Sequence, residues 1–184
     1  MNSRLCVFFG TFFKLKKLNI NLIKYTLTKI VLFFQIFLLT GCHSEKINFD
    51  KISIKSGVEG VVHYYDKKTY TGLIIKKDSK SQTIFSVKDG LLDGELIRYG
   101  DSNIKILIEN YKENKLNGNK YIFYTDGSIF EKSSFWDNRL VGEYKLYYPN
   151  GQIKRIAEFD SFGKKVGKWK KFKNTGEIIE IINY

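Results

Sequence analysis

The chain has 184 residues, a formal net charge of +12, one proline and two cysteines. Residues 1–41 hold six basic residues and no acid, so half of the net charge lies there and the remainder carries +6. Nucleic acid is therefore not expected as a partner, because much of the basicity belongs to one short N-terminal stretch rather than to a folded surface.

The first 41 residues have the layout of a secretory signal peptide. Basic residues precede a ten-residue apolar run from Ile30 to Leu39, and small residues follow it. Ten apolar residues are too few to span a bilayer stably. The sequence therefore predicts a signal peptide over 1–41. An uncleaved membrane anchor and a true start downstream of Met1 remain open.

The end of this segment, Leu39-Thr40-Gly41-Cys42, resembles the bacterial lipobox. The resemblance implies that Cys42 is diacylated and becomes the N-terminus of a membrane-anchored lipoprotein in the bacterial cell envelope. Cys6 would be removed with the leader, so no disulfide is expected within the mature chain. The alternative is an incidental cysteine beside an uncleaved anchor.

Residues 42–57 are mostly polar, and we expect a lipidated tether there, with a first strand at its end. Residues 58–184 are expected to form one folded domain. A strand within Val58–Tyr70 starts its sheet. An irregular first repeat follows near 70–93, where two apolar runs flank the polar turn Asp78–Gln82.

From Asp89 onward the chain repeats itself with a period of about 24 residues. A glycine recurs at steps of 24, 24 and 25 residues, as Gly94, Gly118, Gly142 and Gly167. Nine residues after each comes a turn position: Asn103, Gly127, Gly151 and Gly176. Aromatics fill the fifth position (Tyr99, Phe123, Tyr147, Phe172) and the seventeenth (Tyr111, Phe135, Phe159, Tyr184). The predicted regular repeats span 94–117, 118–141, 142–166 and 167–184.

Each repeat is predicted to form two short strands and two tight turns. The first turn carries Asp89-Gly90, Glu113-Asn114, Asp137-Asn138 and Phe162-Gly163. Gly and Asn accept the positive φ that hairpin turns require. Only about six to nine residues separate the turns, which suits strands and is too short for helices. We therefore predict an all-β fold, an antiparallel meander of tandem β-hairpins that forms one elongated sheet.

One spacing does not determine which face of the sheet carries the repeat aromatics. Tyr144 and Tyr147 are three residues apart, as are Trp169 and Phe172. A regular strand would place the members of each pair on opposite faces, so either a bulge intervenes or both faces are used.

A glycine, an aromatic two residues later and a second aromatic three residues after that form a pattern that resembles the MORN repeat. Tyr144–Ile153 is the closest stretch of this sequence. More narrowly, residues 70–184 are similar to bacterial YwqK-type antitoxin-family proteins, which are often lipoproteins. Two positions depart from the pattern, because Leu96 and Lys120 stand where the first aromatic is expected.

No motif in the sequence marks a catalytic site. His43 and His63 are the only histidines, and no cluster of Cys, His and acidic residues has metal-ligand spacing. Phosphate-binding loop and nucleophile-elbow motifs are absent. We therefore expect no enzyme activity, no cofactor and no metal.

The most basic stretch after the leader is 164–173. Its residues Lys168, Trp169, Lys170, Lys171 and Phe172 form a candidate patch for anionic lipid headgroups or an acidic partner. The alternative is a solvated cap on the last repeat.

Together these features predict a non-catalytic, membrane-anchored repeat protein whose sheet binds a protein partner. The antitoxin resemblance implies an antitoxin or immunity protein that neutralises a toxin. The rival hypothesis is a structural module of the envelope that binds lipid headgroups, peptidoglycan or glycan. Neither hypothesis specifies an oligomeric state.

Overall fold

The computed structural model describes residues 46–57 and 60–184. Within those ranges the chain forms fifteen β-strands and two short 3-10 segments, and it contains no α-helix. The predicted all-β fold is therefore confirmed. The predicted signal peptide, Cys42 and the first residues of the predicted tether lie outside the described residues.

The strands are β1 (Lys46–Asn48), β2 (Ser53–Gly57), β3 (Gly60–Tyr65), β4 (Lys68–Thr69), β5 (Gly72–Asp78), β6 (Ser81–Lys88), β7 (Leu91–Tyr99), β8 (Lys105–Lys112), β9 (Lys115–Leu116), β10 (Gly118–Phe123), β11 (Ile129–Trp136), β12 (Arg139–Tyr147), β13 (Ile153–Phe159), β14 (Lys165–Phe172) and β15 (Ile178–Asn183). The 3-10 segments are Phe49–Lys51 and Asp101–Asn103.

Twelve of these strands form one long sheet. From β5 to β8 and from β10 to β15, each strand pairs antiparallel with the next, and β8 pairs with β10. The two-residue β9 also pairs with β8 and lies off this path. The predicted antiparallel meander is confirmed. Two additions extend it, since β1 pairs with β5 in parallel and β2, β3 and β4 form a separate three-stranded sheet.

The N-terminal part of the described chain differs from the expected tether. Residues 46–57 form β1, a 3-10 segment and β2; β2 lies where a first strand is expected at the end of the tether, and β1 and the 3-10 segment precede it. Ile47 is buried, and Phe49 and Ile52 pack against the same core. Within the described residues, contacts with this core therefore extend to side chains before Val58. Three apolar side chains separated by polar residues gave no periodic signal, yet each meets the larger core.

Side chains alternate between the two faces of the long sheet. We define face A as the one that carries Ile74, Phe85, Leu96, Glu109, Lys120, Ser133, Tyr144, Ala157, Trp169 and Ile182. Face B carries Ile75, Ile84, Ile97, Ile108, Tyr121, Lys132, Lys145, Ile156, Lys170 and Ile181.

The main core lies on face A at the start of the sheet. It consists of Ile47, Tyr70, Ile74, Phe85 and Val87. The rings of Phe49 and His63 lie 6.3 and 5.6 Å from the ring of Phe85, so the 3-10 segment and β3 cover this end. We call face A of β5–β7 the covered half, and face A of β8 and β10–β15 the open half.

Each repeat glycine lies where strand pairing is irregular. In the pairing of β11 with β12, Lys132 lies opposite Lys145 and Ser134 lies opposite Val141. Over this interval β11 advances by two residues and β12 by four, so β12 bulges. Gly142 lies within the longer step and has a φ of 67°. Gly94, Gly118 and Gly167 also have positive φ, between 69° and 114°. The bulge therefore requires a backbone conformation that glycine adopts at little cost.

The open question about the two faces is decided by β12. Residues 144–146 pair one for one with residues 157–155 of β13, and the register shift between Leu146 and Tyr147 leaves its extra residue, Lys154, on β13 and not on β12. Tyr144 therefore lies on face A and Tyr147 on face B. Both faces of the sheet carry repeat aromatics.

Two rows of hydrogen bonds join consecutive repeats outside the strands. At one edge, the side-chain oxygens of Asn114 and Asn138 accept hydrogen bonds from the backbone N–H groups of Leu92 and Leu116, at 2.8 and 2.7 Å. At the other edge, the hydroxyls of Tyr124 and Tyr148 donate to carbonyls 23 and 24 residues further on, both at 2.8 Å. The period of the sequence is thus also the period of the contacts between repeats.

Candidate binding face

The predicted repeat residues divide between scaffold and face. Gly127, Gly151 and Gly176 occupy turns with φ between 80° and 89°, and Asn103 takes the same place with a φ of 60°. Tyr99, Phe123, Tyr147 and Phe172 lie half-buried at the ends of their strands. Tyr111, Phe135, Phe159 and Tyr184 lie at or near the ends of β8, β11, β13 and β15. Cys42 lies outside the described residues.

The open half begins with a compensated polar cluster. Glu109 is only 9% exposed, and its carboxylate forms an ion pair of 3.0 Å with Lys120. The hydroxyl of Tyr111 donates to the same carboxylate at 2.9 Å. Burial, followed by the contact with Glu109, raises the pKa of Tyr111 to about 12. Tyr111 is therefore a neutral donor at physiological pH, and the buried charge of Glu109 is satisfied.

One repeat further on, a related cluster has no internal cation. The carboxylate of Glu131 accepts hydrogen bonds from Ser133 at 3.0 Å and from Tyr144 at 3.2 Å. Burial and the negative charge of Glu131 raise the pKa of Tyr144 to about 12, while Arg155 acts in the opposite direction. Within the described residues no Lys or Arg forms an ion pair with Glu131, and Arg155 is the cation that acts on the same Tyr144 hydroxyl.

The last repeat ends face A with aromatic rings. Trp169 lies between Phe159 and Tyr184, with ring centroids 5.2 and 4.7 Å away. The ammonium group of Lys165 lies 4.6 Å from the ring centroid of Trp169, within the range of a cation–π interaction. The indole N–H donates to the carbonyl of Glu158 at 3.2 Å. These contacts fix the orientation of Trp169 at the surface.

A small cavity of about 140 Å³ lies beside this aromatic group. Its walls include Arg155, Trp169, Lys171, Glu180 and Tyr184. Arg155 pairs directly with Lys171 across β13 and β14, so two like charges face each other on adjacent strands. Neither makes an ion pair among residues 46–57 and 60–184. Glu180 is the cross-strand neighbour of Lys171 on β15, so one acid stands beside two cations, and an anionic group from outside would balance the remaining positive charge.

The structure does not bring the whole predicted patch together on one face. Alternation along β14 places Trp169 and Lys171 on face A, whereas Lys168, Lys170 and Phe172 lie on face B. Only the first two share their face with Arg155 and Tyr184. A strand distributes a compact basic sequence over two surfaces.

Sequence reasoning missed the polar members of face A, Glu109, Lys120, Glu131, Ser133 and Arg155. Repeat detection emphasises positions that stay constant, and these positions change from repeat to repeat. The second position after the repeat glycine is Leu96, Lys120, Tyr144 and Trp169 in turn, and the fifteenth is Glu109, Ser133, Ala157 and Ile182. The variation of residue type at these fixed repeat positions was the signal in the sequence that could have identified face A.

The polar groups of face A are held in place by contacts with one another. In the described part of the chain, no group of three or more His, Cys, Asp and Glu residues could hold a metal ion. That part also contains no helix long and apolar enough to cross a membrane. The neutral tyrosines donate to carboxylates, and these carboxylates are held by hydrogen bonds. Face A therefore offers fixed donors, acceptors and rings to a surface placed against it.

Comparison with known proteins identifies one repeat. Residues 140–161 match the family model described as a MORN repeat variant. No curated protein matches the chain significantly. The matched residues include most of β12, the turn after it and all of β13, and neighbouring hairpins have the same bulge and register. Residues 140–161 thus form a MORN-type repeat inside a longer series of similar hairpins.

Proposed function

We propose that this protein is a non-catalytic, membrane-anchored lipoprotein that binds a protein partner through the open half of face A. The observation that carries the proposal is the pair Arg155 and Lys171, which face each other beside Trp169 and Tyr184 and form no ion pair in the described residues. Arg, Trp and Tyr are the residue types that dominate binding energy at protein interfaces.

The dimensions of the open half suit a protein surface. Seven strands at the usual spacing extend over about 30 Å, and their length is about 20 Å. This area is of the order that one partner contributes to a stable protein complex. A partner surface with an acidic group opposite Arg155 and a basic group opposite Glu131 would be electrostatically complementary.

The finer part of the proposal is that the partner is a toxin and that this protein is an antitoxin or immunity protein. The MORN repeat variant at 140–161 and the resemblance to the antitoxin family support it. The lipobox-like stretch before Cys42 supports an exported, lipid-anchored form in the bacterial cell envelope. Binding across a toxin's active site would neutralise the toxin without any catalysis.

The test uses the full chain with a C-terminal tag, purified from membranes in mild detergent. Lys171→Glu reverses one charge on face A, and Lys168→Glu makes the same change three residues earlier on face B. We expect one protein to co-purify with the wild type and with Lys168→Glu. Lys171→Glu should recover at least about tenfold less, because losing a charge-assisted contact costs roughly 1.5–3 kcal/mol.

Two outcomes would contradict the proposal. Equal recovery with both variants would remove face A as the binding surface. Binding of the full chain to anionic vesicles or isolated cell wall, with no co-purifying protein, would instead favour the structural module of the envelope. The antitoxin role has its own readout, since the recovered partner must inhibit growth when it is expressed without this protein.

A further inference from the structure

A second cavity, of about 360 Å³, lies in the covered half and is separate from the proposed partner-binding surface. Phe85, Leu92 and Leu96 form its apolar floor, and His63 from the covering sheet closes one side. Its volume is within the range of pockets that hold small organic molecules.

Three polar side chains line up across the mouth of the cavity. Lys76, Thr83 and Arg98 are direct neighbours on β5, β6 and β7, so about 5 Å separates each from the next. The two cations make no ion pair within the described residues. The Lys76 ammonium instead lies 5.5 Å from the ring centroid of Phe49. Thr83 is only 9% exposed, and its hydroxyl has no hydrogen bond in that part of the chain.

His63 adds a fourth group from the opposite side. It is 5% exposed, and its Nδ1 lies 3.0 Å from the carbonyl oxygen of Gly90. A carbonyl only accepts hydrogen bonds, so Nδ1 carries the proton. Nε2 has no partner in the described residues, and the histidine is part of the cavity wall. The ring is held in place by its contact with Phe85 at 5.6 Å.

One acid also borders the cavity. Asp78 accepts a hydrogen bond of 3.3 Å from Ser81, and both residues belong to the hairpin end of β5 and β6. Asp78 and Lys76 lie on the same face two residues apart, yet they form no ion pair. Lys76 and Arg98 together leave the cavity with a positive charge in excess.

We propose that this cavity binds a small organic anion, a carboxylate or phosphate attached to an apolar body. The anionic group would lie between Lys76 and Arg98 and accept a hydrogen bond from Thr83. The apolar body would pack on Phe85, Leu92 and Leu96. The two cations and the hydroxyl of Thr83 that lines the cavity between them account for the anionic group, and the apolar floor accounts for the apolar body.

The test follows the ring signals of His63 by NMR in the full chain, in mild detergent. The chain has only two histidines, so a His43→Asn variant assigns the spectrum. The probes are phenyl phosphate and benzoate, which combine head and body, inorganic phosphate, which is the head alone, and benzyl alcohol, which has no charge. We expect saturable shifts with phenyl phosphate, with benzoate or with both, and weaker effects with the other two.

Charge variants locate the anion. Lys76→Gln and Arg98→Gln should each weaken binding of the effective probe by about tenfold, because each removes a charge-assisted contact. Lys77→Gln, adjacent in sequence but on face B, should bind like the wild type. The variants change exposed side chains, and an unchanged His63 spectrum without probe shows that they are folded.

The proposal is overturned if neither phenyl phosphate nor benzoate shifts the His63 signals, or if Arg98→Gln and Lys76→Gln bind as the wild type does. Equal binding of inorganic phosphate and phenyl phosphate would overturn the role of the apolar floor. Loss of partner recovery in the preceding experiment has no bearing on this one, because the two sites share no residue.

Discussion

The two halves of face A have the same backbone and different side chains. In the covered half the central row is apolar, as in Ile74 and Phe85, because the 3-10 segment and β3 pack over it. In the open half the same row carries Lys120, Tyr144 and Trp169. Turns and bulges thus determine the position of each residue in the sheet. Whether other elements pack over the face determines whether that position carries an apolar or a polar side chain. A repeat sheet can keep one half as core and use the other for recognition.

The largest test of this comparison truncates one residue type at both ends of the row. Ile74 is 0% exposed in the covered half, whereas Ile182 is 40% exposed in the open half. Ile74→Ala should lower the free energy of unfolding by about 2–5 kcal/mol, and Ile182→Ala by less than about 1 kcal/mol. Urea unfolding of the full chain measures both. Equal losses would show that the open half is as firmly packed as the covered half.

A second test adds one methyl group to a turn glycine in each half. Gly90 and Gly151 have φ of 88° and 80°, so alanine should cost about 1–2 kcal/mol at either position through the backbone alone. At Gly90 the new Cβ would also lie 2.6 Å from Cγ1 of Val62, whereas at Gly151 nothing lies within 4 Å.

Gly90→Ala should therefore destabilise the protein by roughly 1–3 kcal/mol more than Gly151→Ala, because the covering sheet must move. Thermal unfolding of the two variants gives the difference. Similar melting temperatures would indicate that β3 is loosely attached, and that the covered half is covered only part of the time.

The sequence predicted the parts of this fold that local chemistry decides. Asp137 and Asn138 adopt φ of 50° and 65°, as a mirror-image hairpin turn requires, and few residue types tolerate such values. The turn at Phe162-Gly163 differs, because only Gly163 has positive φ. Asp160 accepts hydrogen bonds from the N–H groups of Phe162 and Lys164 there. The single 25-residue step of the repeat lies at this longer turn.

Long-range packing decided the remainder, and the sequence did not reveal it. The covering sheet depends on contacts such as Val62 with Gly90, which no period connects. Glu109 and Glu131 each have one partner two residues away on their own strand, whereas their other partners, Lys120 and Tyr144, lie on the neighbouring strand and meet them through the sheet register. Unequal spacing in the bulged strands hides that register from pattern analysis.

The smallest effect that we predict is a pH dependence of the stability that the Tyr144 hydroxyl contributes in the open half. The pKa of Tyr144 is raised to about 12 in the folded protein, above its ordinary value. Stability from this hydroxyl is therefore fully present below about pH 10 and is lost as the pH rises towards about 12. Because Tyr144 is partly exposed, solvent screening should reduce the effect to about 0.5–1 kcal/mol.

Tyr144→Phe should accordingly be less stable than the wild type near pH 8, and the difference should shrink as the pH approaches about 11, since phenylalanine does not ionise. Tyr65→Phe is the matched control, because the Tyr65 ring is exposed and its hydroxyl has no hydrogen bond in the described residues. Urea unfolding at both pH values measures the change. A Tyr144→Phe deficit that stays constant with pH would mean that the hydroxyl stabilises the face by packing, without the donor bond to Glu131.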